Sequence, residues 1–271
     1  PAWHTSLTLY QTDTYSLGTA SRMFNDGGQN SSFLASVPLA DEPNSTRQVA
    51  RVHARYIIDE TVPGVTLLDD YTRRFQYQLS LTECGRTITV QKGPAAMVLY
   101  RPHAIAGFKP TSLKAMVIIP NRQHGRGSPA VDELYIGARK CDGVTGDSNE
   151  PATVFVRMHK TYLALIPLID NSAVGAKLPR QAAVRVRPEG WSLGVSLYNY
   201  QGEGIDLNPR QYCMMGNGFV CEMGDEKTDG SFDAFRARLA DGKHTVRSMY
   251  RRTVHSRGAY TRQVTYQRDG L

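Results

Sequence analysis

Long apolar runs are missing from this sequence, and so is sustained helical periodicity. The longest apolar-rich stretch, YLALIPLI from Tyr162 to Ile169, is broken by Pro167. It falls well short of the about 18 residues that a membrane-spanning helix needs, so no membrane partner is expected. Nucleotide chemistry has no foothold either: there is no Walker loop, no GxGxxG following a strand and no HExxH. The segment GVSLY lacks the second glycine of a nucleophile elbow and lies inside a strand-like run, which removes Ser196 as a hydrolase nucleophile. The seven histidines are scattered with no HxH pair, and the four cysteines, Cys84, Cys141, Cys213 and Cys221, match no zinc spacing. Neither a metal nor any other cofactor is expected. Paired carboxylates facing one sugar are absent too. Asp59-Glu60 and Asp69-Asp70 are adjacent in sequence, and neighbours on a strand point to opposite faces.

What is present is globular. Hydrophobic residues at 41% and charged residues at 21% argue against disorder, and 271 residues suffice for a full core with no low-complexity linker dividing them. About a dozen short runs rich in Val, Ile, Thr and Tyr follow one another, among them SLTLYQT, QVARVHARYII, RTITVQK, AAMVLYRP, SLKAMVIIP, TVFVRMHKTYLALIPL and WSLGVSLYNY. Turn signals such as QKGP, NRQHGRGSP and RPEGW separate them. Strands at this spacing without intervening helices predict an all-β chain, a large antiparallel β-sandwich over residues 1–271. One short helix is expected near the C-terminus, in DGSFDAFRARLADG. There Phe232, Phe235 and Leu239 recur at helical steps, Ser231 can cap the start and Gly242 can stop it. The sequence opens on Pro1 and closes just after Asp269-Gly270. It therefore reads as one domain excised or processed from a longer chain.

Alternation assigns faces. Arg51, His53 and Arg55 fall on one side of a strand, opposite Val52, Ala54 and Tyr56. Arg157 and His159 share a side in TVFVRMHK, read as one uninterrupted strand through Tyr162, and Arg185 and Arg187 oppose Val184 and Val186. If these strands are neighbours, their cations merge into one basic surface, on which Arg51, Arg55, Arg101, Arg157, His159, Arg185 and Arg187 would bind an acidic polysaccharide. Protonation of the histidines would make such binding pH-dependent. The net charge of +7 is concentrated at the end of the chain. From Ser231 onward nine cations face three carboxylates, with Tyr250, Tyr260 and Tyr266 interleaved. That composition suits nucleic acid, an acidic glycan or a solvated strand pair.

Tyr, His and Arg together serve β-elimination from uronic acids: a cation neutralises the carboxylate and a Tyr or His removes the adjacent proton. LYRPHA supplies Tyr100, Arg101 and His103, and RVHARY supplies His53, Arg55 and Tyr56. Tyr100, His103 and His53 are the catalytic candidates if the chain is an enzyme. Two sequons, Asn30-Ser31-Ser32 and Asn44-Ser45-Thr46, favour an exported setting, extracellular or periplasmic. CMMGNGFVC reads as a turn around Gly216-Asn217-Gly218, with Cys213 and Cys221 either joined by a local disulfide or free and buried.

DTYSLGTASR near the start, AAMVLYRPHA and PTSLKAMVIIP in the middle, and YRRTVHSRGAYTRQVTYQRDG at the end resemble the C-terminal β-sandwich of the heparinase II/III and alginate-lyase class. The resemblance implies a glycan-associated sandwich completing a cleft with a helical partner domain. The chain departs from that class by lacking the helical toroid, which there carries the catalytic Tyr and Asn, and a GHGHAD-like stretch. No catalytic residue is therefore carried over. Two functions follow as expectations: a carbohydrate-associated domain contacting an acidic polysaccharide, or a coat-like assembly subunit whose basic terminus meets nucleic acid. Rings along a groove would mark the first, and rings buried at subunit contacts the second.

Overall fold

The computed structural model describes residues 7–20, 32–41, 48–58, 85–102, 111–120, 130–143, 145–171, 182–189, 192–203, 215–240, 242–252 and 260–268. In chain order the strands begin with β1 Leu7–Gln11, β2 Ser16–Ala20, β3 Phe33–Pro38, β4 Val49–Ile58, β5 Gly85–Lys92 and β6 Ala95–Pro102. Next come β7 Ser112–Pro120, β8 Glu133–Ile136, β9 Arg139–Lys140, β10 Gly146–Ser148, β11 Val154–Met158 and β12 Thr161–Pro167. The last are β13 Val184–Glu189, β14 Ser192–Gln201, β15 Asn217–Asp225, β16 His244–Arg252 and β17 Tyr260–Arg268. Two short helices, α1 Glu226–Asp229 and α2 Phe232–Arg238, lie between β15 and β16.

These strands form an antiparallel β-sandwich. Sheet A has eight strands in the order β1-β2-β3-β4-β7-β14-β13-β10, and sheet B seven in the order β5-β6-β15-β12-β11-β8-β9. Alternation in β4 sends Val52, Ala54 and Tyr56 into the space between the sheets, where they join Val98, Tyr100, Val156, Leu165 and Phe219 of sheet B. Two ring pairs cross that space: Phe33 meets Phe219 edge-on at 5.2 Å, and Tyr56 lies 5.7 Å from Tyr100.

Sheet B is also covered on its outer face. Ser231 caps α2 by accepting from the Ala234 amide at 3.1 Å, and Phe232, Phe235 and Leu239 then pack on Phe155, Tyr162 and Ala164. The helix ends at Arg238, earlier than Gly242 would have stopped it. Beside it the separate β16–β17 hairpin lays Val264 and Tyr266 against Ile166, Leu168 and Val220. Double coverage explains why β15 is buried at every position, from Asn217 to Asp225.

Two local expectations are corrected. TVFVRMHKTYLALIPL is two strands rather than one. It reverses at His159-Lys160, where Met158 pairs with Thr161 and His159 takes a φ of 54°. The stretch after Gly216 is the central strand β15, not a turn, and Cys221 within it is a free, fully buried thiol, as is the buried Cys141. No local disulfide therefore joins Cys221 to Cys213, which lies outside the described residues. Among the described residues no helix is long and apolar enough to cross a membrane.

Candidate functional site

The ladders bring two of the three basic strand faces together. His53 stands opposite Ile118 and Arg55 opposite Met116. Across the next ladder Gly194 and Ser196 oppose those two β7 residues, and beyond them stand Arg187 and Arg185. Arg51, His53, Arg55, Lys114, Arg185 and Arg187 thus share the outer face of sheet A, spread over strands about 4.8 Å apart.

Much of this face is not surface. Arg55 is 3% exposed and Lys114 4%, with Met116 and Ile118 buried between the two arginine-bearing strands. Arg185 and Arg187 both reach Asp147, at 3.3 and 2.7 Å. Lys114 points Nζ at the Tyr198 hydroxyl (3.4 Å), and its ammonium lies 5.2 Å from that ring, with the Arg185 guanidinium 5.7 Å from it. Arg51 is exposed and Arg187 partly so. The face is a cationic layer pinned largely by the chain itself.

Arg157 and His159 do not join it. Arg157 is on β11 of sheet B, where it pairs with Glu133 at 3.0 Å, and His159 is in the turn that follows, its Nε2 3.0 Å from Asp41 Oδ1. Lys160 reaches the same Asp41 at 2.6 Å, and these contacts hold the Asp41 carboxyl below the usual carboxylate range. Tyr100 and His53 are not brought together either. Tyr100 faces the interior from sheet B, and His53 lies on the outer face of sheet A, with the β4 backbone and Tyr56 between them. Arg101 is in β6 opposite Arg86, and His103 lies outside the described residues.

His53 departs from the pH behaviour expected of it. Burial, followed by the nearby Arg55 charge, pushes its pKa down to about 4. The imidazole thus stays neutral on the folded chain through the range in which a free histidine gains a proton. The native value lies below the unfolded value of about 6.5, so this contribution to stability is intact above pH 6.5 and is lost as pH falls toward 4. Each pH unit inside that window costs up to about 1.4 kcal/mol. Urea midpoints measured at pH 7.5 and pH 5 should fall more for the wild type than for His53→Gln; equal falls would refute this account.

Four of the nine cations of the C-terminal segment, Arg236, Arg238, Arg262 and Arg268, are engaged within the chain. Arg236 pairs with Asp233 at 2.9 Å and lies over the Tyr135 ring, its guanidinium carbon 3.3 Å from the centroid. Arg238 bridges Asp229 at 2.7 Å and Glu222 at 3.3 Å, Arg268 reaches Glu222 at 2.5 Å, and Arg262 donates to the Leu168 carbonyl at 3.2 Å. Lys243 and Arg247 are exposed. Of the interleaved tyrosines, the Tyr266 hydroxyl donates to Glu222 at 2.5 Å, an inward contact rather than a stacking platform.

Two large exposed apolar side chains, Val246 and Met249, also lie on β16, and the others lie elsewhere. Leu7 (77% exposed) and Leu9 (66%) on β1, Leu34 on β3, and Ile88 (51%) and Val90 (63%) on β5 are solvent-facing. Among the described residues strands β1 and β5 end their respective sheets, and the two ends lie on the same flank. There Thr89 Oγ1 donates to the Ala20 carbonyl at 2.8 Å and Gln91 Nε2 to the Leu17 carbonyl at 2.9 Å. No charge falls between Leu7 and Gln11 or between Thr87 and Gln91. Edge strands ordinarily carry charge, proline or a bulge against unwanted pairing. The sequence held this signal in LTLYQ and TITVQ, but which strands are edges depends on the sheet order. Among the described residues no group of His, Cys, Asp and Glu could hold a metal ion.

No family model, curated protein or solved structure matches the chain.

Proposed function

We propose that the chain is a structural β-sandwich subunit that associates, coat-like, with further copies of itself. One observation carries this reading. Among the described side chains no aromatic one is exposed, while four of the seven large exposed apolar side chains, Leu7, Leu9, Ile88 and Val90, are aliphatic and cluster on two edge strands, in stretches that carry no charge. Sugar recognition uses accessible rings, whereas self-association uses aliphatic edges with unpaired backbone groups. The acidic-glycan reading draws on the cations of sheet A. Only Arg51, Arg187 and part of Arg185 remain within reach of a polymer there.

Sedimentation velocity over a concentration series tests the proposal. The wild-type mass should rise above the 30.1 kDa of one copy. Leu9→Lys and Val90→Lys should hold it there with an unchanged circular dichroism spectrum, since lysine on these exposed positions costs the fold only about 0.5 kcal/mol or less. A chain that stays at one copy's mass throughout and is retained on uronate polysaccharides would overturn the proposal in favour of glycan recognition.

A further inference from the structure

The two edge strands complement each other across copies, an inference that rests on the assembly reading. Sheet A has one strand more than sheet B among the described residues, and the extra strand, β1, is exposed on both faces: Leu7, Thr8 and Leu9 are all open to solvent. The sandwich is closed one strand earlier, where β2 meets β5 through Thr19 and Gln91 (2.9 Å) and through Thr89 and Ala20 (2.8 Å). Among the described residues, strand β1 therefore projects beyond the edge of sheet B and leaves a step beside β5, one strand wide.

The same contacts fix the levels. Leu9 pairs with Gly18 and Leu7 with Ala20, while Gln91 bonds to Leu17 and Thr89 to Ala20. Leu7 thus lies within about one residue of the level of Ile88, and Leu9 within about one residue of Val90. Faces match as well. Ile88 and Val90 pair with Leu99 and Met97, which lie under the β16–β17 hairpin, so they point to the outer side of sheet B. Leu7 and Leu9 point to the outer side of sheet A, in register with Leu34 and His53 across β2, β3 and β4.

We infer that two copies join flank to flank about a twofold axis running along the strands, the β1 of each filling the step beside the other's β5. This rotation preserves levels and exchanges the two sheets. Leu7 and Leu9 then stand beside the partner's Ile88 and the partner's Val90 on one face, and Thr8 and Tyr10 beside the partner's Thr89 on the other. Apolar meets apolar and hydroxyl meets hydroxyl. Exposed Lys92 follows Gln91 on β5, and exposed Asp13, which pairs with Lys227 of its own chain at 3.0 Å, lies two residues past Gln11. Each sheet A becomes continuous with the partner's sheet B, so both edges are consumed in one closed, isologous contact.

Cross-linking tests the pairing. Cysteines at Leu9 and Val90 of one chain point to opposite sides of the sandwich and cannot reach each other. Across the proposed contact their backbones lie within the disulfide range of about 4.4–6.8 Å between Cα atoms. On mild oxidation the double variant Leu9→Cys, Val90→Cys should run mainly as a covalent dimer on a non-reducing gel, and an equimolar mixture of the two single variants should give the same band. Each single variant alone should stay at the wild-type background. A sedimentation mass above one copy without this cross-link would overturn the pairing and leave the assembly reading standing. A chain monomeric at every concentration would remove both, and a ladder of trimers and longer species would overturn the twofold closure.

Discussion

Glu222→Ala should destabilise the fold by about 3–5 kcal/mol, the range for removing one partner of a buried ion pair. Glu222 is completely buried at the centre of sheet B's outer face, and three side chains converge on it. Arg268 Nε and the Tyr266 hydroxyl each donate to Oε1 at 2.5 Å, and Arg238 Nη1 donates to Oε2 at 3.3 Å. Burial and the hydrogen bond to Glu222 raise the Tyr266 pKa, so the phenol remains a donor. Among the described residues the hairpin forms no ladder with either large sheet, and a two-stranded hairpin alone is marginal in water. Glu222 and the apolar seat of Val264 and Tyr266 therefore decide whether it stays docked. Glu222→Gln should cost less, because an amide still accepts from Tyr266 but no longer balances two guanidiniums. Urea unfolding gives the loss, and amide exchange along β17 locates it. A loss under about 1 kcal/mol, or exchange unchanged in β17, would show that the hairpin is held otherwise.

Asn199→Ala should cost about 3 kcal/mol or more, through polar groups left without partners. Its side chain is wholly buried between the sheets and fully used. Oδ1 accepts from Tyr56 at 3.2 Å and Asn217 at 2.6 Å, and Nδ2 donates to Asn171 Oδ1 and the Gly216 carbonyl, both at 2.8 Å. Asn217 continues the network to the Leu197 carbonyl at 2.9 Å, tying β14 to β15. Asn199→Asp supplies the test of mechanism. It keeps the size and both acceptor bonds but removes the donor, so its loss should be comparable in size. If instead it is tolerated while the alanine variant is not, the accepted bonds and packing, rather than donation from Nδ2, are what Asn199 provides.

The amino-acid pattern made the fold class and several faces legible. Val52, Ala54 and Tyr56 alternate with charged neighbours, and that contrast survives in the structure because only one face of β4 meets the other sheet. Ser231 with Phe232, Phe235 and Leu239 is equally local, and the helix forms where it was expected. Strands β2, β3 and β10 were not legible: SLGTA, FLASVP and GDS are short and rich in small residues, and their pairing is supplied by neighbours. The His159-Lys160 reversal was missed because no Gly, Asn or Asp marks it. GNG suggested a turn, yet Gly218, at a φ of 151°, is needed because any β-carbon there would collide with the Val98 carbonyl. The candidate site was least legible. Which basic strands adjoin depends on sheet order, and β11 entered the other sheet. The C-terminal cations looked free because their carboxylates, Glu222 and Asp229, lie before them in the chain and meet them only after folding.

Cys221 gives the molecule an internal clock. Its thiol sits in the central strand of sheet B, fully enclosed, and burial, followed by the adjacent Glu222 charge, raises its pKa, which suppresses the reactive thiolate. An alkylating reagent can reach that sulfur only when the sandwich opens around β15, by parting of the two sheets or of β15 from β6 or β12. The rate at which the Cys221 peptide gains label thus reports how often the sandwich breathes around β15, without any probe being added to the chain.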